Sequence, residues 1–122
     1  METFGKRMKE LRAKNDLSLR EFCRETGYDP SNWSKIERGL LNPPGDDILK
    51  PIFVFLGVDT GSEQEQNLLD LASIARKQLP PDISEDEKMM SMLPAFFRTI
   101  RGGKPTDDDV EELFRIIRKH TE

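Results

Sequence analysis

Five polar residues crowd into the stretch DPSNWSKIERG at positions 29–39: Ser31, Asn32, Ser34, Lys35 and Arg38. Each has a use at a nucleic acid. An Asn amide donates and accepts at once and so can pair with adenine. Lys can reach the acceptors of guanine, and a Ser hydroxyl can serve a base or a phosphate. An Arg fork suits phosphate oxygens. At helical spacing Ser31, Asn32 and Lys35 share one side, with Ser34 and Arg38 beside them, while Trp33, Ile36 and Glu37 turn the other way. The result is a short helix with an apolar back and a front of donors that carries no acid. An ordinary amphipathic surface helix has the same pattern, and composition alone leaves both readings open.

The flanking residues define how such a helix would be held. Asp29 is an N-cap and Pro30 suits the first helical position, where its missing N–H costs nothing. Gly39 ends the helix. Upstream, Ser18 and Glu21 have the spacing of a capping box. Leu19, Phe22 and Cys23 make a buried face, and Gly27 supplies a left-handed cap. Two short helices joined by a tight turn are therefore predicted within residues 18–39. Arg20 and Arg24 on the first of them are weaker candidates for phosphate contact.

The stretch SLREFCRETGYDPSNWSKIERG resembles the helix-turn-helix of the XRE family, which includes the Cro and repressor proteins of lambdoid phages. The matching features are Phe22 and the small Cys23, Gly27 in the turn, Trp33 and Ile36, and the terminal Ile-Glu-Arg-Gly. The similarity reaches upstream through FGKRMKELRAKNDLSL and downstream to about Val58. It departs at Leu19, where the family often has Gln, and at Pro30, from which some relatives read a base. The resemblance implies a DNA-binding head in which Ser31, Asn32 and Lys35 face the major groove and Ser34 and Arg38 serve its edge or the backbone. It also implies a structural ion pair between Arg12 and Glu37, and core positions for Trp33 and Ile36.

The rest of the chain reads as helix. Phe4, Met8 and Leu11 form a stripe within a helix over 3–14. Leu40 and Leu41 are expected to tuck under a fourth helix over 46–57, whose core stripe is read as Ile48, Ile52, Phe55 and Leu56, with Pro51 fraying or kinking it. Ser62 with Glu65 caps a helix to about residue 78, with Leu68, Leu71, Ala72, Ala75 and Leu79 inward. Ser84 with Glu87 caps another, broken near 93 by Pro94, whose Met89, Met90, Leu93, Phe96, Phe97 and Ile100 form a broad apolar face. That face either packs on neighbouring helices or meets a partner. Thr106 with Asp109 opens a last helix carrying Val110, Leu113, Phe114 and Ile117, with cations at its end.

The expected fold is all-α: a phage-repressor-like head of four to five helices over residues 1–60 and a helical dimerisation or regulatory extension over 61–122. Residues 1–45 hold nine Lys/Arg against seven Asp/Glu, a balance of +2, and residues 46–122 a balance of −6, so the positive charge sits with the helix-turn-helix. One Cys excludes an internal disulfide, and no apolar run approaches membrane-spanning length, which reads as a cytoplasmic protein without a membrane partner. One His and one Cys cannot build a typical zinc site, and no phosphate loop or nucleophile–base pair is present. No metal, cofactor or catalytic residue is expected, and the chain does not read as an enzyme.

The function that follows is a transcriptional repressor binding double-stranded DNA as a homodimer on a palindromic operator, since one helix-turn-helix reads few bases. Two alternatives share the head. One is an antitoxin that neutralises a toxin protein and regulates its own operon; an acidic C-terminal half suits a basic toxin. The other is a repressor inactivated by a partner metallopeptidase.

Overall fold

The computed structural model describes residues 2–103, 106–108, 110, 111, 114, 115 and 118, and they contain helices and no strand. Seven helices can be bounded: α1 (Phe4–Lys14), α2 (Leu19–Thr26), α3 (Pro30–Glu37), α4 (Asp46–Phe55), α5 (Glu63–Ala75), α6 (Pro81–Ser84) and α7 (Glu87–Ile100). They belong to two compact units, one running to Gln78 and one starting at Leu79.

In the first unit, local chemistry sets the helix ends. The Ser18 hydroxyl accepts from the Glu21 amide at 3.1 Å while the Glu21 carboxylate accepts from the Ser18 amide at 3.2 Å, a complete capping box. That hydrogen bond holds the Glu21 pKa below the usual carboxylate value. Gly27 closes α2 with a φ of +76°. The Asp29 carboxylate accepts from the Asn32 amide at 2.9 Å and opens α3 with Pro30 in its first turn. Ser62 caps α5 through the Glu65 amide, but the box is not reciprocal: the Glu65 carboxylate reaches back one residue further and accepts from Gly61 at 3.1 Å.

One core unites α1 to α5. Phe4, Met8, Leu11, Phe22, Trp33, Ile36, Leu49, Phe53, Leu68 and Ala72 all belong to it. The expected boundary at residue 60 is thus displaced to 78, because Leu68, Leu69 and Ala72 of α5 fill the same core as α1 and α4. Arg76 ties the end of α5 back, donating to the Pro44 carbonyl at 2.6 Å and to Asp46 at 3.2 Å. Asn15 joins α1 to α4, its amide donating to the carbonyls of Leu11 at 2.8 Å and Leu56 at 3.0 Å.

Several packing expectations need correction. On α4 the core stripe is Leu49, Ile52, Phe53 and Leu56, whereas Ile48 and Phe55 are 49% and 42% exposed. The helix is apolar nearly all round, so its pattern does not choose a face. Pro51 neither ends nor frays it, and stands exposed inside a continuous helix. Leu40 and Leu41 do not tuck under α4; they are exposed, and Leu41 lines an open groove of about 560 Å³ with Leu71 and Ile74. Ala75 is exposed as well, since α5 turns Leu69 and Ser73 inward instead, and Leu79, expected on the same face, lies beyond the end of α5 and is exposed.

In the second unit, α6 packs on α7. Asp86, not Ser84, caps α7, accepting from the amides of Lys88 and Met89, because Ser84 is taken into the short helix α6. Pro94 lies inside α7 without breaking it. Ala95 is the one buried residue of α7, while Met90, Phe96, Phe97 and Ile100 are exposed. Gly102 ends the segment at a φ of +93°. Residues 107, 108, 110, 111, 114, 115 and 118 are helical, and Val110 and Phe114 are exposed. Asp109, Leu113 and Ile117 of the last expected helix lie outside the described residues.

Candidate nucleic-acid interface

Helix α3 buries Trp33 and Ile36 and leaves Ser31, Asn32, Lys35 and Arg38 exposed, with Ser34 half-buried beside them. These five residues occupy one continuous arc of the helix. Among the described residues, no hydrogen bond or ion pair engages the side chains of Ser31, Asn32 or Lys35, so their donors and acceptors remain available. The Arg38 guanidinium lies back along the helix and donates to the Ser34 carbonyl at 3.3 Å. Arg20 and Arg24 stand exposed one turn apart on α2, a different helix from the other five.

The back of α3 is fixed in two ways. Trp33 is fully buried, its ring 4.8 Å from that of Phe22 and 5.0 Å from that of Tyr28, which meets it edge-on. Trp33 is therefore committed to the core, where such pairs add to the area buried. Burial also raises the Tyr28 pKa, and burial raises that of the Cys23 thiol, which packs in the same core.

Polar contacts supply the rest. Arg12 Nε donates to Glu37 Oε2 at 3.0 Å and Nη2 to Oε1 at 3.0 Å, a two-pronged ion pair. The remaining Arg12 nitrogen donates to the Leu17 carbonyl at 3.0 Å, and Trp33 Nε1 donates to Glu37 Oε2 at 2.9 Å. The Glu37 side chain is only 7% exposed and that of Arg12 15%. The hydrogen bond to Glu37 raises the Arg12 pKa above its ordinary value. One ion pair thus joins α1, the loop at Leu17 and the recognition candidate α3. The Glu37 charge is neutralised and turned inward, so the exposed front of α3 carries Lys35 and Arg38 and no acid. Such a surface attracts phosphate instead of repelling it.

Two contributors to this site were not anticipated from the sequence. The Trp33–Glu37 hydrogen bond joins residues four apart on α3, a spacing that could have flagged it. Gly5 has no such signal. It is buried in α1 where the end of α3 passes: a Cβ there would collide with the Glu37 carbonyl oxygen and lie 2.7 Å from both the Glu37 carbonyl carbon and the Ile36 oxygen.

A family model described as a helix-turn-helix domain matches residues 3–66, just over half of the chain. The chain belongs to this family, as a helix-turn-helix transcriptional regulator of the XRE-like, Cro type. The family is one of DNA-binding regulators rather than enzymes. No curated protein and no solved structure gives a match. Among the described residues, no helix is long and apolar enough to cross a membrane, and no group of three or more His, Cys, Asp or Glu could hold a metal ion.

Proposed function

We propose that the protein is a sequence-specific transcriptional repressor that reads double-stranded DNA with α3 and acts as a homodimer on a palindromic operator. The observation that carries this reading is the unoccupied arc of Ser31, Asn32 and Lys35, displayed by a helix whose back is locked by Trp33 and the Arg12–Glu37 pair. Asn32 and Lys35 discriminate base edges. Ser34, Arg38, Arg20 and Arg24 position the head on phosphates. The head extends to residue 78, and residues beyond it supply the second copy's contacts. Exposed Met90, Phe96, Phe97 and Ile100 support that role, since an apolar cluster on one helix marks an interaction surface. A partner protein, a toxin or a regulatory peptidase, is the second reading of the same residues. The setting of either reading is the cytoplasm.

The test is a binding titration against a duplex bearing the promoter of its own gene and a scrambled duplex, at two salt concentrations. Asn32→Ala and Lys35→Ala should each lose about 1–3 kcal/mol of specific affinity and relax preference at one base pair per half-site. Arg38→Ala should weaken binding to both duplexes and flatten the salt dependence. Equal affinity for both duplexes at every salt, untouched by Asn32→Ala or Lys35→Ala, leaves only the protein-binding reading.

A further inference from the structure

We infer that Gly5, which has no side chain to offer DNA, is a positioning residue that sets the angle at which α3 is presented to the bases; the inference rests on the DNA-binding reading above. Helix α1 meets the end of α3 at two places. The Arg12 fork holds the Glu37 carboxylate, and Gly5 faces the carbonyls of Glu37 and Ile36. Seven residues of helix separate Gly5 from Arg12, roughly 10 Å at the rise of an α-helix.

Any side chain at residue 5 meets backbone there, the Glu37 carbonyl group and the Ile36 oxygen, so no rotamer change relieves the clash. Relief requires the end of α3 to move about 1 Å, from a 2.7 Å approach to ordinary contact. The Arg12–Glu37 ion pair holds the same residue by its side chain, so the movement of the backbone becomes a tilt of α3 about that anchor. Ser31 and Asn32 lie five or six residues from Glu37, roughly 8 Å along the axis, and shift by nearly the same amount as the carbonyl. Hydrogen bonds to base edges tolerate only a few tenths of an ångström. A long exposed side chain such as Arg38 follows a phosphate over that distance. Tilting α3 therefore removes discrimination between sequences and spares general affinity for DNA.

The experiment measures one ratio in the full chain: affinity for the duplex carrying its own promoter over affinity for a scrambled duplex, well below the melting temperature. Gly5→Ala should lower the ratio about 10-fold, the discrimination of one well-made base contact, with little change in scrambled-duplex binding. Ser62→Ala, which removes the α5 cap and lowers stability away from α3, should leave the ratio unchanged. A purely structural role for Gly5 lowers affinity for both duplexes alike, so an unchanged ratio in Gly5→Ala overturns the inference while the repressor reading stands. No preference in the unsubstituted protein overturns the repressor reading itself, and this inference with it. Should Gly5→Ala not fold, the Gly5 Hα to Glu37 and Arg38 amide cross-relaxation is followed in the unsubstituted protein. Its persistence on binding the promoter duplex supports the inference, and its loss on binding overturns it.

Discussion

Helices α3 and α7 are both amphipathic, and they dispose of their apolar residues in opposite ways. In α3, Trp33 and Ile36 vanish into a core shared by five helices, and what reaches solvent beyond Pro30 is polar. In α7, Ala95 is buried while Phe96 and Ile100 stand 55% and 66% exposed. The first helix is held by its own chain, so its exposed face can be specific. The second has apolar surface to spare, so its stability and its role depend on what it meets. On the proposed function, such a chain would separate reading from association.

The sharpest way to break that contrast is truncation. A chain ending at residue 60 loses Leu68, Leu69 and Ala72 from the core of the first unit. At about 1.5–3 kcal/mol for each large apolar side chain, the loss approaches the whole stability of a small domain. Residues 1–60 should fail to unfold cooperatively in urea, and residues 1–78 should give a single cooperative transition. Equal transitions for the two would show that α5 is not part of the unit that holds α3.

Substitutions within α3 come next. Trp33→Ala should cost about 3–5 kcal/mol as a large buried side chain is truncated. Glu37→Ala should cost about 3 kcal/mol, because it leaves Arg12 mostly buried without its partner. Both are read as shifts of the urea midpoint. A cost under about 0.5 kcal/mol, the level of surface substitutions, would show that α3 is not locked from behind.

Phe96→Ser and Ile100→Ser on α7 should move that midpoint by no more than about 0.5 kcal/mol, yet lower the association constant of the full chain in sedimentation equilibrium. A monomer at tens of micromolar before substitution removes the dimer role. A core-sized loss of stability removes the contrast between the helices.

The smallest effect is alkaline. Burial raises the Cys23 and Tyr28 pKa values, so both groups hold their protons more tightly when folded. Their contribution to stability is complete below the unfolded values, about 8.5 for the thiol and about 10 for the phenol, and is lost as pH rises through the folded ones. Stability should therefore decline above about pH 8.5, and Cys23→Ala should remove the earlier part of that decline in urea titrations at stepped pH.

The parts of this architecture that were legible in the sequence are those decided within a turn or two of chain. Ser18, Glu21, Gly27, Asp29 and Pro30 mark their helix ends because capping is local chemistry. The faces of α1 and α3 follow from clear polar–apolar alternation. The face of α4 does not, because Ile48, Leu49, Ile52, Phe53, Phe55 and Leu56 offer two stripes, and only packing against α5 selects one. The resemblance pointed to Arg12 and Glu37 together; residue types alone could not pair groups 25 positions apart. Gly5, Asn15 and Arg76 act through distant carbonyls, and such approaches leave no periodic signal. Pro94 reads as a break because the rule against proline in helices is a cost and not a prohibition.

The packing of α1 against both α3 and α5 has a consequence during synthesis. Phe4, Met8 and Leu11 share a core with Leu68 and Ala72, which are made some sixty residues later. At about 5–20 residues per second, the nascent chain carries that apolar stripe uncovered for several seconds, long enough for a holding chaperone to find it before the head can close.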